Sequence, residues 1–291
     1  MREDRLRTIL TARTSDPGAI TLAAARRRRP TSLLGDHGRL MMIAADHSAR
    51  GMLSAGDRPM AMADRADLLD RLCLALSRPG VNGVLGTPDV IEDLLLLGAL
   101  DDKVVVGSMN RGGLAGSVFE LDDRFTAYDA TAVHGMAYEG GKMLLRIDLA
   151  DPASVRTIES CGQAVSDLAR RGKLAMIEPF LSRRVDGKVH NELTADAMIK
   201  AMTVAAGIGN TSAYSWLKVP IVPDMARVMA ATTLPAVILG GEVSADPDAT
   251  FERWRAALTL PTVRGLVVGR SLLYPSDDDV ARAVDTAVSL F

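Results

Sequence analysis

Eight short apolar runs, each bounded by glycine, proline, aspartate or asparagine and separated by stretches of helical periodicity, constrain this chain most. They cover residues 40–45, 81–85, 103–106, 142–147, 174–177, 216–221, 236–239 and 265–268. Runs of this length and composition fit strands buried on both faces, the kind found in parallel sheets. Helical patterns fill the intervals at 61–76, 88–97, 152–171, 194–206, 247–258 and 277–290. Several carry start and stop signals: Pro88 in a first turn with Gly98 beyond the end, Asp151 before 152–171 with Gly172 after it, and Asp246 before Pro247. Eight buried strands alternating with helices predict an α/β fold, a closed (β/α)8 TIM barrel. The 291 residues suit one such barrel over 40–291, with residues 1–39 as a short N-terminal helical extension. An open doubly wound sheet is the alternative, but no Gly-x-Gly-x-x-Gly turn follows the first strand.

Charge narrows the function. A formal net charge of -2 leaves no footprint for nucleic acid or an anionic membrane surface. The basic run Arg26 to Arg29 closes an alanine-rich helical segment before Pro30 and reads as a solvated helix C-terminus. No apolar run is long enough to span a bilayer, and the charged first residues lead into no signal core. The expectation is a soluble, cytoplasmic protein. Cys73 and Cys161 lie in separate helical patterns, which suggests neither a disulfide framework nor a metal cluster. The four histidines lack metal-ligand spacing.

Barrel chemistry gathers where strands end at their C-terminal side, so the polar residues that interrupt the apolar runs matter most. Lys218 stands inside Trp216-Leu217-Lys218-Val219. A cation in a buried strand is either paired or kept as a neutral amine, and a neutral amine attacks a carbonyl to form a Schiff base. The alternative is a lysine that snorkels or pairs with a carboxylate. Lys142 opens the fourth strand; if both lysines point inward, each lowers the other's pKa. Glu178 ends the fifth strand, either as an ion-pair member or as a proton carrier. Asp46 ends the first, either as a base or hydroxyl ligand or as a turn residue.

Other strand ends suggest binding. Gly240-Gly241 after the seventh strand and Gly269-Arg270 after the eighth let backbone N–H groups approach a phosphate, with Arg270 adding a charged fork. After the third strand a long stretch to about Asp123 carries Arg111 and is either functional or a flexible connection. Residues 182–190, with Arg183 and Arg184, read as a basic lid or a solvated surface loop.

In the same strand order, from about 40 to 275, the chain resembles class I Schiff-base aldolases of the tagatose-bisphosphate and archaeal-type fructose-bisphosphate group. Ala44-Ala45-Asp46, Lys142, Glu178, Leu217-Lys218-Val219, Gly240-Gly241 and Gly269-Arg270 carry the likeness. It departs where His47-Ser48-Ala49 intervene before Arg50-Gly51, and in the stretches 108–113 and 182–190. It looks closest to a barrel branch associated with bacterial myo-inositol catabolism. The resemblance implies cleavage of 6-phospho-5-dehydro-2-deoxygluconate to dihydroxyacetone phosphate and malonate semialdehyde in a homo-oligomer, with no metal or organic cofactor. Lys218 would form the Schiff base, Lys142 and Glu178 would move protons, and Glu178 or Asp46 would be the cleavage base. Arg111, Arg183 or Arg184 would hold the substrate carboxylate. Alternatives are a tagatose-, fructose-bisphosphate or deoxyribose-phosphate-like aldolase, a sugar-phosphate isomerase or epimerase without a Schiff base, and a non-catalytic sugar-phosphate sensor.

Overall fold

A computed structural model describes residues 3–35, 37–244 and 246–291. The strands are β1 (Leu40–Ala45), β2 (Gly83–Gly86), β3 (Val104–Ser108), β4 (Gly140–Ile147), β5 (Leu174–Val185), β6 (Lys188–Asn191), β7 (Ser215–Val219), β8 (Ala236–Leu239) and β9 (Val263–Val268). Every pairing among them except β5–β6 is parallel. β4 pairs with both β3 and β5, and β1 with both β2 and β9, so eight strands close into a barrel with helices between them. The expected TIM barrel is the fold. Among the described residues no helix is long and apolar enough to cross a membrane.

The period-two alternation of strands sorts side chains to the two faces of the wall. Leu40, Met42, Leu85, Val104, Val106, Leu174, Met176, Val237 and Val267 fill the barrel interior with Trp216 at its edge, while a larger cluster packs strands against helices. The same alternation carries polar residues inward above the apolar layers. From Leu40, Met42 and Ala44 it reaches Asp46; from Val104 and Val106, Ser108; from Leu174 and Met176, Glu178; from Trp216, Lys218.

Helices 65–77 and 280–288 start later than their patterns suggested. Asp64 and Asp279 are the caps, their carboxylates accepting from the N–H groups of Ala66, Asp67 and Arg282. Three short helices, Ala130–Gly135, Met225–Met229 and Arg270–Leu273, were too brief for periodicity to reveal.

Two expectations are corrected. Residues 182–190 form a β-hairpin instead of a loop. β5 runs on past Pro179 and pairs antiparallel with β6, with Val185 opposite Lys188. Asp186 and Gly187 both take positive φ, 50° and 77°, the backbone of a tight two-residue hairpin turn. Pro179 does not end the strand. β7 pairs with β5 only from Ala175 to Ile177, so beyond that the strand has an edge that tolerates a missing N–H.

The second correction concerns the basic run. The extension forms helices Glu3–Ser15 and Gly18–Arg26; Arg26, Arg28 and Arg29 are exposed, as expected of a solvated helix end, but Arg27 is not. Arg27 is buried beneath the barrel, donating to the carbonyls of Lys103 and Ala137 and to Glu139. Arg29 also reaches Glu139, and Arg28 pairs with Asp101 and Asp102. The helix ends at Arg26, and Arg27 turns extended (ψ 129°), which aims the run across the N-terminal ends of β3 and β4.

Candidate active site

A cavity of about 380 Å³ opens at the C-terminal end of the barrel. At its floor the Glu178 carboxylate lies between two lysines. Oε1 accepts from Lys218 Nζ at 2.5 Å, and Oε2 pairs with Lys142 Nζ. Register explains the meeting: Ile177 pairs with Leu217, so Glu178 and Lys218 follow side by side on adjacent strands. Lys142 lies in register with Met176, one layer lower, and reaches up. Lys142 also contacts Asp46 Oδ2 at 3.4 Å, and Asp46 accepts from Ser108 Oγ at 3.1 Å and pairs with Arg111. Arg111 Nε donates to Ser108 Oγ at 2.9 Å.

Three basic side chains, Arg111, Lys142 and Lys218, thus share two carboxylates in a buried cluster. Burial disfavours the ammonium form of both lysines and lowers their pKa values; Arg111 pushes further in the same direction, and Glu178 opposes it. For Lys142 the nearby Lys218 charge adds to the lowering. Burial works to raise the Glu178 pKa, but Lys142 and then Lys218 outweigh it and hold the carboxyl well below its usual range. Loss of one lysine proton would balance the cluster. Lys218 lines the cavity, whereas Lys142, 1% exposed, lies beneath Glu178 and outside the lining. Lys218 is therefore the amine that a ligand can reach.

Gly240, Gly241, Gly269 and Arg270 converge on the same cavity from β8 and β9. Gly241 has φ 71°, and a Cβ on Gly269 would strike the Ala44 carbonyl and the His47 ring. Arg270 donates Nη2 to Glu242 Oε1 at 2.7 Å and Nη1 to the Ser54 carbonyl at 3.3 Å. On the opposite wall stand Arg111, after β3, and Arg146, at the end of β4.

Arg184 and Arg183 do not reach the cavity. Arg184 binds the carbonyls of Gly187 and Val118, and Arg183 faces Glu192 at 3.6 Å. The hairpin carries them along its exposed end and instead brings Asn191, and Leu193 two residues on, to the rim.

The stretch after β3 is pinned. Arg146 grips Asp123 through Nε at 2.8 Å and Nη2 at 2.7 Å, and Arg50 Nε holds the Gly113 carbonyl at 2.8 Å. The Asn110 amide exchanges two bonds with the Leu144 backbone of β4, at 2.6 and 2.7 Å, in the manner of a strand. Arg50, Arg146 and His47 line the cavity and were absent from the expected set. Alternation from Lys142 through Leu144 to Arg146 was the available signal for Arg146; nothing local marked Arg50. Burial, then the charges of Arg270 and Lys218, push His47 down to about 3, so its imidazole is neutral. Among the described residues no group of three or more His, Cys, Asp or Glu could hold a metal ion.

A family model described as Cgl0159-like matches residues 38–288. The crystal structure of Cgl0159 from Corynebacterium glutamicum is 50% identical, covers 100% of this chain and 97% of its own, and superposes with a TM-score of 0.97. An archaeal fructose-1,6-bisphosphate aldolase, solved with its catalytic lysine covalently bound to the carbinolamine intermediate of its substrate, is 15% identical with a TM-score of 0.67 over 93% of this chain and 98% of its own. The fructose-bisphosphate aldolase of Slackia heliotrinireducens is 16% identical, with a TM-score of 0.67 over 95% of this chain and 91% of its own. At these identities the two aldolases share the fold. No curated protein matches the chain.

Proposed function

The chain belongs to the Cgl0159-like family, and we propose that it is a class I aldolase cleaving a phosphorylated keto sugar or keto-sugar acid through a Schiff base on Lys218. The observation that carries this reading is the buried Lys218–Glu178–Lys142 bridge, in which only Lys218 faces the cavity. Burial favours the neutral amine needed for attack on a ketone.

In the proposed cycle the Lys218 amine adds to the carbonyl carbon to give a carbinolamine. Glu178, touching both amines, carries the protons that let water leave, with Lys142 as the second proton store. The iminium withdraws electrons from the adjacent carbon–carbon bond. A carboxylate takes the proton of the hydroxyl one carbon beyond, the bond breaks, an aldehyde departs and an enamine remains. Asp46 suits that step: it lines the cavity, and its partners are Arg111, Ser108 and Lys142. Protonation and hydrolysis of the enamine return the amine and release a ketone phosphate.

The finer reading is 6-phospho-5-dehydro-2-deoxygluconate, cleaved to dihydroxyacetone phosphate and malonate semialdehyde. Its support is charge placed at two ends. Arg270 and the glycines suit the phosphate, while Arg111 and Arg146 on the opposite wall suit a carboxylate. Borohydride treatment with dihydroxyacetone phosphate tests the chemistry. One triose phosphate should become fixed to Lys218, located by peptide mass spectrometry. Labelling of Lys142 would move the nucleophile to β4, and no labelling would remove the Schiff base. Comparing kcat/KM for the keto-sugar acid and a ketose bisphosphate then tests the substrate.

A further inference from the structure

Arg270 is 5% exposed and carries its charge into a largely dry setting, where a cation needs a partner. Its guanidinium is unevenly satisfied. Nη1 donates to the Ser54 carbonyl and Nη2 to Glu242, while Nε is buried with no hydrogen-bond partner among the described residues. Nε–H and Nη2–H form the side-on edge of an arginine, the edge that takes an oxyanion through two parallel bonds. Glu242 engages only half of it. The Glu242 side chain is 71% exposed and follows Gly240 and Gly241, the latter with φ 71°, so little packing holds it in place.

We propose that Glu242 is a displaceable stand-in for the substrate phosphate on Arg270. With no ligand bound, its carboxylate neutralises the buried guanidinium. A phosphate takes both Nε and Nη2, expels the carboxylate toward solvent, and is expelled by it in turn when product leaves. Glu242 is then a positioning residue that lowers affinity for phosphorylated ligands and discriminates by charge. A phosphate displaces it, whereas an uncharged group leaves the ion pair intact. This rests on reading the glycines and Arg270 as the phosphate half of the site.

Titration calorimetry of the full chain with inorganic phosphate at fixed ionic strength tests the idea without requiring turnover. Glu242→Gln removes the competing charge and keeps the shape. It should bind phosphate up to about five-fold more tightly than the parent, the range set by a largely exposed ion pair. In turnover it should lower KM for the phosphorylated substrate and leave KM for an unphosphorylated ketone analogue unchanged. Arg270→Ala should lose the phosphate in both backgrounds. Unchanged or weaker phosphate binding by Glu242→Gln, with Arg270→Ala still losing it, would overturn the stand-in and keep the phosphate site. Absence of phosphate binding in parent and Glu242→Gln alike would overturn both, while a borohydride label on Lys218 would stand independently.

Discussion

The barrel buries charge at both ends, and the two clusters rest on different partners. At the N-terminal end Arg27 donates to two main-chain carbonyls as well as to Glu139, and Glu139 accepts from the Val105 N–H. Lys103 and Lys173 end on the carbonyls of Val81 and Tyr138, each at 2.6 Å. At the C-terminal end the lysines rest on side chains: Lys218 on Glu178, Lys142 on Glu178 and Asp46. Burial lowers the pKa of Lys103 and Lys173 as well, but their acceptors, carbonyls in the segments that lead into the strands, have no proton to exchange. Carboxylate acceptors can exchange protons with an amine, and here three basic groups outnumber two acids beside a cavity. Burial of charge is common to both ends; proton-exchanging partners and an opening are what set the proposed site apart.

The sharpest break in this comparison is Lys218→Arg. The guanidinium keeps a charge beside Glu178 but supplies no amine nucleophile. Cleavage should fall on the order of 10⁴-fold or more, with the borohydride label lost. Survival of turnover would place the C-terminal cluster with its structural counterpart.

Glu178→Gln removes the carboxylate proposed to carry protons between the lysines and should lower kcat by ~10²–10⁴-fold. Unfolding should change far less, because either lysine can shed its proton. A protein that melts early yet turns over normally would make Glu178 a structural ion-pair member.

Glu139→Gln is the converse at the opposite end. It leaves Arg27 buried without its carboxylate, a change worth about 3–5 kcal/mol. Chemical denaturation should show that loss, with the rate per folded molecule retained. A stable variant with a slowed rate would erase the distinction between the two ends.

The last expected effect, seen only in acid, concerns His47. An unfolded chain takes up its proton near the ordinary value of 6.5, the folded chain only near 3. The unfolded state binds more protons between those values, so the His47 contribution is complete above about 6.5 and is lost as pH falls toward 3. His47→Gln should remove that part of the acid sensitivity. Equal loss of stability from pH 7 to 4 in parent and variant would show that His47 is not held neutral.

Period and punctuation made much of the molecule legible. Eight apolar runs fixed the barrel, and alternation within them points Lys142, Glu178, Lys218 and Asp46 inward. The Asp186-Gly187 pair was an equally local hairpin signal, hidden by the reading that ends the fifth strand at Glu178.

Other features were set only by the fold, because they depend on distance between remote segments. Arg27 and Glu139 meet across 112 positions. Which lysine faces the cavity follows from strand register, a difference of one layer that neither side chain's neighbours encode. Arg50 belongs to the site because a turn after β1 lays it beneath the Gly113 carbonyl. Arg184 does not, because the hairpin directs it elsewhere. The sequence by itself determined the fold and the inward set, since periodicity is a property of neighbours. Tertiary structure decided which inward groups touch, which are reachable and which proton can be spared, since those depend on the barrel's closure.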